Sequence, residues 1–278
     1  MRTALLRCEW TTVRYSAEQV EDMRRECEAL ANRLAALMMT ALRVRELLAN
    51  NDAKNHLAHG VARRLKLIAR CIEQLFLLLP PDAEKPIERE KLTDLNINLH
   101  ALLVNVAGLL DDLAWVFAYE SAEAARFQAD PFSVGLFKKQ LQAVMPQKLV
   151  DHVRGDTFSN WHRDYAKNYR DAVAHHIPPY VADRTYSVED GRAFEELDKA
   201  QNALLLAPHF DHVEAERLRV AKDALGVPAL IMTHALSGKN RSRPILFHAQ
   251  AICDGVTLAE LLDIAFRELK VMLEARHP

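Results

Sequence analysis

The chain has 278 residues, enough to bury a sizeable core, and it is half hydrophobic and 27% charged, the balance of a soluble globular protein. Eight glycines are too few for repeated glycine-rich phosphate cradles or many-turned β-sandwiches, and neither G-x-G-x-x-G nor G-x-x-x-x-G-K occurs. A formal charge of −2 excludes a protein that is basic all over, though not a local basic patch.

Cys8, Cys27, Cys71 and Cys253 are scattered without a C-x-x-C pair, so neither a thiolate zinc site nor a disulfide framework is expected. The basic start lacks the apolar stretch of a secretion signal. The most apolar run, residues 99–110, is too short to span a bilayer and is followed at once by Asp111 and Asp112, so it reads as a buried helix. A cytoplasmic protein with no membrane partner is the expectation.

From Val20 the apolar residues fall at 20, 23, 27, 30, 34, 37, 41, 44 and 48, alternating steps of three and four. That seam predicts a long helix packed lengthwise on another, with Ser16 and Gln19 as its capping box. A second helix places Leu57, Val61, Leu65, Ile68, Ile72, Leu75 and Leu79 on one face and stops at Pro80-Pro81. After a loop over 81–86, a third runs from about 91 to 119 on the stripe Leu99, Leu102, Val106, Leu110, Leu113 and Phe117. Three such helices with short connections predict an antiparallel bundle. Pro131 and Pro146 break the next region into shorter pieces, and residues 161–176 are helical until Pro178-Pro179.

Beyond Tyr180 the character changes. Residues 193–206 and 211–225 read as two helices, the second closed by Gly226 and Pro228. Runs 229–236 and 244–252 flank Ser237-Gly238-Lys239-Asn240 and predict a hairpin; Thr257 and Glu260 form a capping-box pattern for a last helix to about 275. The fold class is therefore mainly α: an antiparallel bundle over 1–190, followed by a small α/β region over 191–278.

The most informative stretch is Asn168-Tyr169-Arg170-Asp171-Ala172-Val173-Ala174-His175-His176-Ile177-Pro178-Pro179-Tyr180. It resembles the signature of the HEPN superfamily, in which an arginine, a polar residue and a few further positions precede a histidine; Arg170, Asp171 and His175 take those places. The resemblance implies a helical bundle, usually a homodimer that sets two motifs across a shared cleft. For active members it implies metal-independent RNA cleavage; other members bind RNA or nucleotide, or serve in toxin, defence or stress systems.

The residues make their own case. A helix C-terminus favours a protonated imidazole, which readies His175 to exchange a proton near neutral pH. Arg163, Lys167 and Arg170, at steps of four and three, supply charge for a phosphate, with His176 and Tyr180 as further RNA-contacting candidates. Ideal helical geometry sets Arg170 and His175 about 140° apart, at ~100° per residue. They converge only where the helix unwinds before Pro178 or where two chains share the cleft, so dimerisation is part of the reading. The spacing of Arg243 and His248 is similar but lacks the polar follower, and reads as chance.

His56-x-x-His59 and His209-x-x-His212 match no H-E-x-x-H pattern and read as a polar helix start and a loop, so no metal and no cofactor are expected. Asp111-Asp112, inside an apolar helix, marks where the stripe turns toward solvent. The rival from another class is a non-catalytic helical scaffold whose bundle serves assembly with a partner.

Overall fold

The computed structural model describes residues 14–234 and 243–275. Helix α1 (Ala17–Arg45) opens on the expected capping box: the Ser16 hydroxyl accepts the Gln19 N–H at 3.1 Å, and the Gln19 side chain accepts the Ser16 N–H at 2.9 Å. Ser16→Ala removes the first of these bonds and is expected to cost about 1 kcal/mol of stability, read by denaturant unfolding. Its seam is buried at Val20, Leu30, Leu34, Leu37, Ala41 and Val44.

Helix α2, residues 51–78, starts where the Asn50 side chain caps the N–H groups of Asp52 and Ala53. Its segments Asn51–Asn55 and Arg63–Leu78 flank a π-helical stretch, His56–Ala62, with the wider i→i+5 turn. Helix α3 (Arg89–Glu120) is long and apolar enough to cross a membrane by length and composition, yet here it packs against α2 with one face in the core. Short helices α4 (Ala124–Ala129), α5 (Lys139–Gln142) and α6 (Gln147–Arg154) follow, with a 3-10 turn at Pro131–Ser133. Helix α7, residues 156–175, repeats the design of α2: a π-helical stretch, His162–Ala166, joins Asp156–Trp161 to Lys167–His175. It lies against α3.

Strand β1 (Tyr180–Val181) is held to α3 by side chains. Asn96 accepts the Val181 N–H at 2.9 Å and donates to its carbonyl at 3.2 Å, while His100 Nε2 donates to the Pro179 carbonyl at 2.7 Å. Strand β2 (Arg184–Thr185) leads to α8 (Val188–Leu205) and α9 (His212–Asp223), which pack on each other; α8 has no buried residue and α9 only Leu218. Strand β3 (Val227–Pro228) pairs with β2, and β4 (Ile231–His234) joins β1 to β5 (Arg243–Leu246), all antiparallel; Thr233 faces Tyr180 and Met232 faces Ile245.

Helix α10 (Phe247–Glu274) then lies along α1, and α1, α2, α3 and α10 share one core. Here the expectation is corrected: the last helix opens at Phe247, ten residues before Thr257, and the strand stops at Leu246. Phe247, Ala251, Leu258, Leu262 and Phe266 are all buried, so packing on the bundle extends helix through a stretch whose composition suggests strand.

Candidate functional site

Between α3, the 131–138 loop and α7 lies an open cleft of about 520 Å³. Helix α3 contributes Ala107, Leu110 and Asp111; α7 contributes His162, Ala166, Lys167 and Arg170; the loop contributes Phe132, Phe137 and Lys138. Lys138 and Lys167 have no acidic partner among the described residues, whereas Arg170 sits 3.3 Å from Asp171. Three cations against the one carboxylate of Asp111, in a concavity of mixed polar and apolar lining, favour an anionic ligand.

His162 stacks on Phe137 with ring centroids 3.8 Å apart and planes 17° apart. Burial first, then the charges of Lys167 and Arg170, push its pKa down to about 4, so the imidazole is neutral at pH 7. Phe132, 90% exposed, also lines the cleft.

Lys167 and Arg170 thus come together as the sequence suggests, while Arg163 does not join them. The π-helical stretch changes the register between 162 and 166, so His162 and Ala166 take the cleft-facing positions. Arg163 points to solvent, held by Asp164 at 2.7 Å and Asn160 at 2.8 Å.

His175 is the last residue of an unbroken Lys167–His175 segment, exposed and outside the cleft lining. Unwinding begins at His176, one residue too late to turn His175 toward Arg170, so within one chain the pair stays on different faces. His176 is the exposed C-cap, and Tyr180 lies half-exposed in β1 between backbone groups pinned to α3. The Pro-Pro-Tyr tail has a structural task in that pinning.

Asp111 and Asp112 divide between two flanks of α3. Asp111 lines the cleft; Asp112 turns to α2, where it meets His56 and Arg64. His59, His209 and His212 are exposed, and among the described residues no three His, Cys, Asp or Glu side chains converge as a metal site. His248, the histidine of the Arg243 pair, is fully buried on the Leu79 carbonyl at 2.7 Å, a packing role.

Lys138, Phe137 and His162 escaped the sequence reading. The first two stand 18 and 19 residues before the start of α7 at Asp156 and reach it only through the tertiary fold; the signal for His162, a histidine five residues before Lys167, was present but weak. Comparison with family models, with curated proteins and with solved structures finds nothing that matches this chain.

Proposed function

We propose that this protein binds the phosphates of RNA or of a nucleotide in the cleft between α3 and α7, as a HEPN-like homodimer. The observation that carries the reading is the convergence of Arg170, from the HEPN-like motif, with Lys138 and Lys167 around a concavity that also holds stacked and exposed aromatic rings. Lysines and arginines hold phosphate oxygens, and Phe132 stacks a base without sequence preference. Metal-independent cleavage by Arg170 and His175 would follow the resemblance only across two copies, since one chain keeps the pair apart. The scaffold alternative draws on the apolar residues exposed around the α8–α9 turn, Leu206 and Val213 above all.

The test is fluorescence anisotropy with a single-stranded RNA oligonucleotide at several salt concentrations, with light scattering for the dimer. Lys138→Ala with Lys167→Ala is expected to weaken binding at least tenfold and to flatten the log affinity–log salt slope by about 0.7 for each contact removed. Wild-type affinity weaker than roughly 10⁻⁴ M at low salt, below ordinary non-specific binding, would sink the reading.

A further inference from the structure

The other flank of α3 carries a second polar set that the cleft does not use. His56, inside the π-helical stretch of α2, places Nδ1 2.9 Å from Asp112 Oδ1. Arg64 donates Nε to Asp112 Oδ2 at 2.8 Å and Nη1 to Asn105 at 3.0 Å. A carboxylate accepts, so Nδ1 carries the hydrogen of this bond, and in the neutral imidazole Nε2 is then the nitrogen that holds the lone pair. Nε2 meets no protein partner among the described residues, on a ring 31% exposed beside a carboxylate only 16% exposed. Trp115 and Tyr119 stack against the imidazole at centroid distances of 5.9 and 5.6 Å and fix its plane.

Arg64 Nη2 is likewise without a protein partner among the described residues. One carboxylate therefore orients a proton acceptor and a cationic donor together, the pairing that phosphodiester cleavage by a neighbouring hydroxyl requires. Two glycines make the arrangement possible. A Cβ on Gly60 would lie 2.3 Å from the Asp112 carboxyl carbon, and one on Gly108 would lie 2.5 Å from the Arg64 guanidinium carbon.

We propose that His56 and Arg64 are the catalytic residues of an RNA-cleaving centre contained within one chain, with Asp112 as its positioning residue. The proposal rests on the cleft being a phosphate site. The Arg64 guanidinium lies over Gly108, whose chain neighbour Ala107 lines the cleft, and the proposed path of a strand anchored on Lys138, Lys167 and Arg170 is across α3 at this point toward His56. His56 Nε2 takes the proton of a ribose 2′-hydroxyl, and the 2′-oxygen bonds to the adjacent phosphorus. The bond from phosphorus to the 5′-oxygen breaks, and that oxygen takes a proton from water. Arg64 Nη2 holds a non-bridging oxygen throughout; the products are a 2′,3′-cyclic phosphate and a 5′-hydroxyl, with no oxidant, reductant or metal in the balance.

The experiment incubates full-length protein with labelled single-stranded RNA and its 2′-deoxy counterpart in chelator, and measures binding of both in parallel. The expected result is cleavage of RNA alone, lost ~10²–10⁴-fold in His56→Gln and Arg64→Ala with binding of the deoxy strand retained, and intact in His59→Ala. Gln keeps a donor for Asp112, and melting curves check that each variant folds. Asp112→Asn is expected to lose cleavage and to abolish the Nδ1–H tautomer signature of His56 in ¹⁵N imidazole spectra. Cleavage that survives His56→Gln but fails in His175→Ala overturns this centre and leaves the cleft standing. Binding without cleavage does the same, and no binding of either strand overturns both readings.

Discussion

Replacing Asp254 by Asn is expected to stabilise the protein at neutral pH and to do so progressively less as the pH falls. Asp254 is buried in α10, its Oδ1 accepting from Trp161 Nε1 at 2.8 Å and Gln250 Nε2 at 2.7 Å, while Oδ2 has no partner among the described residues. Burial raises its pKa to about 6, against which the two hydrogen bonds work. A carboxyl with a raised folded pKa contributes stability that is complete below the unfolded value of 3.8 and is lost as the pH rises through about 6. The cost at pH 7.5 is about 3 kcal/mol, at 1.36 kcal/mol per unit, and at pH 5 about half of that. Asn keeps the acceptor and cannot ionise, so the stability gap between variant and wild type should widen by more than about 1 kcal/mol from pH 5 to pH 7.5. Urea titrations at both pH values read it; a constant gap would show that Asp254 is already ionised in the folded protein at pH 5, its pKa not raised by burial.

Acid works against the fold through His248, with the opposite sign. The ring is enclosed by Tyr15, Phe76 and Phe247, donates Nε2–H to the Leu79 carbonyl, and leaves Nδ1 buried without a partner among the described residues. Burial lowers its pKa to about 4, so its stabilising contribution is present above the unfolded value of 6.5 and disappears as the pH falls toward 4. At pH 5 the loss is about 2 kcal/mol. His248→Gln, which still donates to Leu79, is expected to be less stable than wild type at pH 7.5 and to recover most of that deficit at pH 5. His162, also held near 4, leaves part of the acid sensitivity in place. An unchanged pH profile in the variant would remove His248 as its source.

The elements readable in the sequence are those whose instructions are local. Ser16 and Gln19 announce the start of α1, and the stripes through Leu34, Leu65 and Leu102 announce the three long helices, because a helix repeats its buried face every three or four residues. The start of α10 was hidden because Pro244 to Ile252 has the composition of a strand, and only contact with the bundle decides that Phe247 begins a helix. The cleft divides in the same way. Lys167 and Arg170 share one helix and were visible; Lys138 and Phe137 arrive from a loop that no spacing rule connects to them. Asp112 showed in the sequence only as a charge out of place, since His56, which explains it, lies 56 residues away.

The two π-helical stretches, 56–62 and 162–166, bear on how this chain is to be aligned with any other. A wide turn amounts to one residue added to an α-helix, and it rotates everything on one side by ~100° relative to the other. Each stretch carries a histidine that meets Asp112 or the cleft, so the inserted residue, rather than any substitution, aims it. Removing one residue from 57–62 would rotate Asn50, Ala53 and His56 together relative to Arg63–Leu78, so the bundle face of one segment could be kept only by losing that of the other. Single-residue gaps at these two places therefore distinguish chains that share the bundle from chains that share its polar sites, and an alignment that forbids such gaps would merge the two.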